Sequence, residues 1–139
     1  PGLIYRFHQA KINQLSSVTI WGTGLQKREF LYVDDLAKAS IYIMNLKKED
    51  YYNNVDQNYN FINIGTGEEI KIKDLAETIK QIINYNGEIN FDLSRPDGTA
   101  RKLLDCTRMH KVGFKPKINL REGLIKTFKD YSPHQYMQS

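Results

Sequence analysis

Long apolar runs are missing from this 139-residue sequence. No stretch approaches the ~18 apolar residues needed to cross a bilayer, so no membrane-spanning segment is expected. Cysteine is nearly missing too: Cys106 stands alone and cannot form an internal disulfide. With no basic-then-apolar leader visible, a reducing cytoplasmic setting is expected. Pro1 rather than Met opens the sequence, so an upstream leader is not excluded. His8, His110 and His134 are scattered, which leaves no metal constellation. Net charge is only +4, and the lysines are spread from Lys11 to Lys129 without a block of five like charges. A basic stripe with interleaved aromatics is absent, so no nucleic-acid partner is expected. A small anionic ligand, such as a diphosphate, fits this charge. No tyrosine is followed by a lysine four residues on, so the Tyr-x-x-x-Lys pair of many short-chain reductases is absent and no proton donor for that chemistry is visible.

Two Gly-Thr-Gly triplets invite a dinucleotide reading, which needs G-x-G-x-x-G between a strand and a helix. Gly22-Thr23-Gly24 continues Leu25-Gln26-Lys27 and lacks the third glycine. Gly65-Thr66-Gly67 continues Glu68-Glu69-Ile70, putting carboxylates where phosphate would sit. Both read as tight turns that use glycine dihedrals.

What is present is an alternation of short strands and helices, hence an α/β protein. Leu3, Phe7 and Ala10 space a helix over residues 2–13, with Pro1 at its start. Strands are expected at 18–21, 30–33, 61–64 and 88–91, with an extended piece near 69–72. Asp34 reads as the cap of a helix from 35 to about 46, striped by Leu36, Ala39 and Ile43. Residues 47–59 read as a polar surface loop. Leu75, Ile79 and Ile82 define a helix over 74–83, stopped by Gly87. A short helix over 105–110 ends at Gly113. Asn119 and Glu122 form a capping box for a last helix over 120–131. The expected organisation is one ligand-binding part over 1–131 and a flexible tail over 132–139. The strands suffice for part of a sheet, not for a complete doubly wound one.

The informative run is Trp21-Gly22-Thr23-Gly24-Leu25-Gln26-Lys27-Arg28-Glu29-Phe30-Leu31-Tyr32-Val33-Asp34-Asp35-Leu36-Ala37. An aromatic, a Gly-x-Gly turn, Arg-Glu-Phe and then Val-Asp-Asp-Leu-Ala resemble the extended short-chain dehydrogenase/reductases that act on nucleotide sugars. A second run, Arg95-Pro96-Asp97-Gly98-Thr99-Ala100-Arg101-Lys102-Leu103-Leu104-Asp105, narrows the resemblance to the GDP-L-fucose synthase family. The opening eight residues and the Asn63-Ile64-Gly65 turn agree, whereas residues 47–60 and the tail match poorly.

The resemblance implies a two-part enzyme that converts GDP-4-keto-6-deoxy-D-mannose to GDP-L-fucose by epimerisation at C3 and C5 and reduction at C4. NADP(H) and the catalytic Ser, Tyr and Lys would lie in a Rossmann domain absent from this chain. The full-length protein would be a homodimer. No catalytic residue is carried over: neither Cys106 nor His8 matches the family's catalytic positions. The carried-over substrate residues are Arg6, Trp21, Arg28 and Asp97, with Arg95 and Lys102 as further diphosphate candidates. On its own residues, Arg28 follows a glycine turn and opens a strand, so a rigid backbone would hold its guanidinium. Plain readings stand beside each: Asp97 as a turn-stabilising Asx residue, Trp21 as core, Arg6 as solvated, Arg101, Lys102 and Asp105 as a surface pairing. A related GDP-deoxyheptose enzyme and a non-catalytic nucleotide-binding module remain open.

Overall fold

The computed structural model describes residues 2–55 and 60–131. The expected flexible tail and part of the 47–59 loop lie outside them. The chain divides into two compact units: residues 2–26, 71–98 and 121–131 form unit 1, and residues 27–70 and 99–120 form unit 2.

Unit 1 is built on two parallel strands, β1 (Ser17–Trp21) and β4 (Glu88–Asp92). Parallel strands need a long crossover, and 66 residues separate Trp21 from Glu88. Helices α1 (Gly2–Ile12) and α4 (Ile72–Ile83) pack together, and α1 also lies against β1. Their core is Ile4, Phe7 and Ala10 with Val18, Ile20, Leu75, Ala76, Ile79 and Ile83. The Phe7 and Tyr85 rings meet edge to face at 5.7 Å. Tyr85 donates its hydroxyl to the Leu15 carbonyl at 2.8 Å. The final helix, α6 (Leu120–Asp130), brings Phe128 to the His8 ring at 5.5 Å.

Unit 2 holds the short strands β2 (Lys27–Arg28) and β5 (Arg101–Lys102), paired in parallel. Strand β3 (Ile70–Lys71) enters on the other side of β2, and the chain passes from unit 2 to unit 1 within it. Helices α2 (Val33–Met44), α3 (Lys48–Tyr52) and α5 (Thr107–Lys111) complete the unit.

Several local expectations need correction. Residues 30–32 form no strand; the strand lies earlier, at Lys27–Arg28. Helix α2 begins at Val33, with Tyr32 at its N-cap and no side-chain cap, so Asp34 is not the cap. The expected loop contains α3. Residues 61–64 form no strand; among the described residues they pair with none. Helix α4 ends at Asn84, whose left-handed φ of 56° closes it before Gly87 is reached. In its last turn Ile83 is the buried residue, while Ile82 is half-buried.

Asp35 explains the shift at α2. Its side chain is only 1% exposed. Its Oδ2 accepts from the Lys117 and Ile118 amides at 2.8 Å each. Tyr42, two turns on along the same helix face, donates to the Val112 carbonyl at 2.7 Å. One face of α2 is therefore committed to the 112–118 segment. The other face carries Val33, Leu36, Ile41 and Met44, all exposed. Asp35→Ala would strand two amides, each costing about 1–3 kcal/mol when buried. We expect the urea midpoint to fall clearly for Asp35→Ala and much less for Asp35→Asn, which keeps an acceptor oxygen. Equal midpoints for the parent and Asp35→Ala would contradict this role.

Candidate functional site

In unit 1 the register pairs Trp21 with Asp92, so the loops that leave β1 and β4 emerge at the same sheet end. Carboxyl ends of adjacent parallel strands are where α/β proteins place ligands. Gly22 leaves β1 with φ 76° and donates to the Asp92 carbonyl at 2.9 Å. Asp97, in the second loop, accepts from the Thr23 amide at 2.7 Å and from the Thr23 hydroxyl at 2.6 Å. A Cβ at Gly22 would strike the Asp97 carboxylate, so the turn needs glycine for both dihedral and space. These contacts, with the Thr23 hydroxyl first and its amide second, hold the Asp97 carboxyl below its ordinary value.

Trp21 is 64% exposed and so is not a core residue. The Arg95 guanidinium lies 5.3 Å from the Trp21 ring centroid, a cation–π contact. Arg95 Nε is also 3.9 Å from Asp92 Oδ2. Arg6 reaches from α1 to the Thr19 carbonyl on β1 at 2.8 Å. Unit 1 thus attaches Arg6, Trp21, Arg95 and Asp97 to one strand pair. Asp97 makes no Asx turn: its partner is 74 residues away in sequence.

Unit 2 holds the other two candidates. Arg28 and Lys102 are register partners on β2 and β5. Arg28 Nη1 donates to the Lys27 carbonyl at 2.6 Å and the Thr99 carbonyl at 2.7 Å. The guanidinium is thereby oriented by backbone and not by a carboxylate. Lys102 is exposed. Arg101 does not pair with Asp105: its Nε lies 2.5 Å from Glu69 Oε2. Asp105 accepts from the Thr107 amide at 2.9 Å instead.

Sequence reading missed three anchoring residues: Thr23, Glu29 and Glu69. Glu29 Oε1 accepts from the Thr66 amide at 2.5 Å and the Gly67 amide at 2.8 Å, while Oε2 accepts from Leu104 at 2.9 Å. The signal was the second Gly-Thr-Gly turn, whose free amides need an acceptor. Glu69 bonds Lys27 at 2.6 Å as well as Arg101, and Lys27 first and Arg101 second lower its carboxyl below the usual value. Burial first, then the Glu29 charge, push the Cys106 thiol up, which leaves little thiolate for chemistry. Unit 2 also contains a cleft of about 530 Å³ lined by Phe30, Thr66, Glu69, His110, Lys115 and Lys117 among others. The described residues contain no cluster of three metal-ligating side chains.

The glycine turns do not fit a dinucleotide phosphate. The Thr23 amide is taken by Asp97, and those of Thr66 and Gly67 are taken by Glu29.

A small mixed α/β chain with a parallel strand pair carrying these loops has the form of a carboxy-terminal part of the extended short-chain dehydrogenase/reductases. Residues 1–65 match the model of the NAD dependent epimerase/dehydratase family. Over nearly its whole length the chain is homologous to proteins named GDP-L-fucose synthase. It is 44% identical over 135 residues to GDP-L-fucose synthase of Escherichia coli K12, covering 97% of this chain and 42% of that protein. It is 41% identical over 131 residues to GDP-L-fucose synthase 1 of Arabidopsis thaliana, covering 94% and 38%. Among solved structures it resembles a GDP-mannoheptose C4 reductase from Campylobacter jejuni with NADP bound. That match has a TM-score of 0.76 and 38% identity and covers 94% of this chain and 44% of that one. The chain spans about two-fifths of the length of these relatives and corresponds to their carboxy-terminal part.

Loss of the Asp97 tie has a pH signature. A carboxyl whose folded value is depressed stabilises above its unfolded value, and that contribution is lost as pH falls through the folded value. Because Asp97 is lowered from 3.8, the turn should hold at neutral pH and open only below that value. Trp21, the one tryptophan, reports it by fluorescence. We expect an acid transition in the parent that is absent from Asp97→Asn. An unchanged transition in Asp97→Asn would assign the effect to another group.

Proposed function

We propose that this chain is the GDP-sugar-binding portion of an NADPH-dependent epimerase/reductase that converts GDP-4-keto-6-deoxy-D-mannose to GDP-L-fucose. Residues 1–131 carry the binding function, and the 132–139 tail does not. Arg28 is the carrying observation: an arginine fixed by two carbonyls, on a strand beside Lys102, suits the planar, bidentate recognition of a diphosphate. Trp21 offers an exposed aromatic face for a ring, with Arg6, Arg95 and Asp97 supplying polar contacts. Asp97 would trade its Thr23 contacts for ligand hydroxyls or keep them and shape the turn.

In this reading the residues described here bind and orient substrate and make no bonds. The 4-keto group acidifies the neighbouring C–H bonds, and the general acid and base that use this belong to the rest of the protein. NADP(H) supplies hydride at C4 and is held mainly outside this chain. The bare face of α2 supports a larger protein, since exposed Val33, Leu36, Ile41 and Met44 form an apolar patch of the kind a partner surface ordinarily covers. A cytoplasmic homodimer is the expected full-length form, as the sequence resemblance implies. The likeness to the Campylobacter jejuni reductase favours a second reading, in which the sugar is a GDP-deoxyheptose. Product identification from both keto-sugars separates the two.

Two measurements test the proposal. With NADPH and the keto-sugar, the full-length protein should oxidise the cofactor and this chain alone should not; turnover by this chain would overturn the division of labour. In calorimetric titrations of GDP into the full-length protein, Arg28→Ala should weaken binding by roughly 30- to 150-fold, the loss expected for about 2–3 kcal/mol. Arg28→Lys should recover only part, because an ammonium lacks the planar fork. Lys11→Ala serves as the control for general charge loss. Binding by Arg28→Ala within threefold of the parent would make Arg28 an ordinary surface arginine.

A further inference from the structure

We infer that Glu69 is a positioning residue: by binding Lys27 and Arg101 together, it makes Arg28 and Lys102 the un-neutralised cation pair that receives the diphosphate. The inference rests on the diphosphate reading above and extends it to a residue that does not touch ligand.

Strands β2 and β5 place four cations on two rungs, Lys27 opposite Arg101 and Arg28 opposite Lys102. Like charges directly opposite each other destabilise a ladder. A two-residue strand pair has too few hydrogen bonds to hold such a register unaided. Successive residues of a strand point to opposite faces, so the two rungs present their charges on opposite sides. Glu69 meets one rung only. Its Oε1 takes Lys27 Nζ at 2.6 Å and its Oε2 takes Arg101 Nε at 2.5 Å. One carboxylate thus bridges both members of the rung, and its side chain is only 16% exposed. No acidic side chain among the described residues forms an ion pair with Arg28 or Lys102.

The arrangement sorts the cations. The bridged rung is locked and half neutralised, one carboxylate against two cations; the other keeps both of its charges and gains a fixed position. The lock also bears on Arg28 directly, since one of its two anchors is the carbonyl of Lys27. A loose Lys27 would release the guanidinium it holds in place.

Charge alone and positioning predict opposite signs for the same variant. Removing a carboxylate near an anion site makes the local field more positive, which should tighten anion binding. Positioning requires the reverse. The experiment is titration of GDP into the full-length protein carrying Glu69→Gln, Glu69→Asp or Arg101→Lys. Glu69→Gln should weaken GDP binding about tenfold despite the gain in net positive charge, and Glu69→Asp should recover most of the loss. In an Arg28→Ala background, Glu69→Gln should change the Kd less than twofold, because the residue it positions is gone. A general structural lesion would instead add its full effect. If circular dichroism shows that Glu69→Gln does not fold, Arg101→Lys carries the test, with an expected loss of three- to fivefold. Equal or tighter GDP binding by folded Glu69→Gln, or full additivity with Arg28→Ala, overturns the inference. A parent that does not bind GDP overturns the diphosphate reading itself.

Discussion

An inward-turned amide needs an acceptor, and in this chain the strands supply few. Two ladders are only two residues long, and four glycines turn the backbone into left-handed φ where no neighbouring strand can follow. Carboxylates meet the demand. Asp97 closes the turn after β1, Glu29 closes the second Gly-Thr-Gly turn, and Asp35 holds the 117–118 backbone. Each ties segments far apart in sequence: Glu29 reaches Leu104 across 75 positions, and Asp35 reaches Lys117 across 82. Ionised acceptors make shorter and stronger bonds than carbonyls, so a few of them can replace a longer ladder. With those ties removed, the loops that carry the candidate site would have no fixed course.

The same economy governs the cations. A net charge of +4 is small, yet the basic side chains near the strand ends are divided into spent and unspent groups. Lys27 and Arg101 are spent on Glu69. Arg28 is held by carbonyls, which orient a guanidinium without cancelling its charge. Arg95 lies over Trp21, where it keeps its charge and stiffens an exposed ring. Affinity for an anion depends on this distribution more than on the total, because distant and already paired charges contribute little.

Elements with enough residues to show a period were legible in the sequence: α1, β1, α4 and β4 were placed within a few residues of their ends. The errors fall where tertiary partners override local signals. Phe61-Ile62-Asn63-Ile64, a short apolar run before a glycine turn, has the look of a strand, but a strand exists only beside another, and none is there among the described residues. Asp34 has the chemistry of a cap, but the docking of Asp35 onto 117–118 sets the helix start at Val33 instead. The strand that holds Arg28 is too short to announce itself. The candidate ligand residues were visible through their motifs. Their supports were not, since Thr23, Glu29 and Glu69 act on partners 32 to 75 positions away, a separation that no local pattern encodes.

Unit 1 is discontinuous, and that sets an order of assembly. Its strand β1 ends at Trp21, but its partner among the described residues, β4, begins at Glu88, with part of unit 2 threaded between. On a ribosome the first strand must wait for some seventy further residues before its ladder can form, while residues 27–70 emerge in the interval. Such high contact order slows folding and leaves apolar surface uncovered meanwhile. Segments made some seventy residues apart must therefore meet, and the Thr23–Asp97 contact that shapes the candidate site cannot close before Asp97 has emerged.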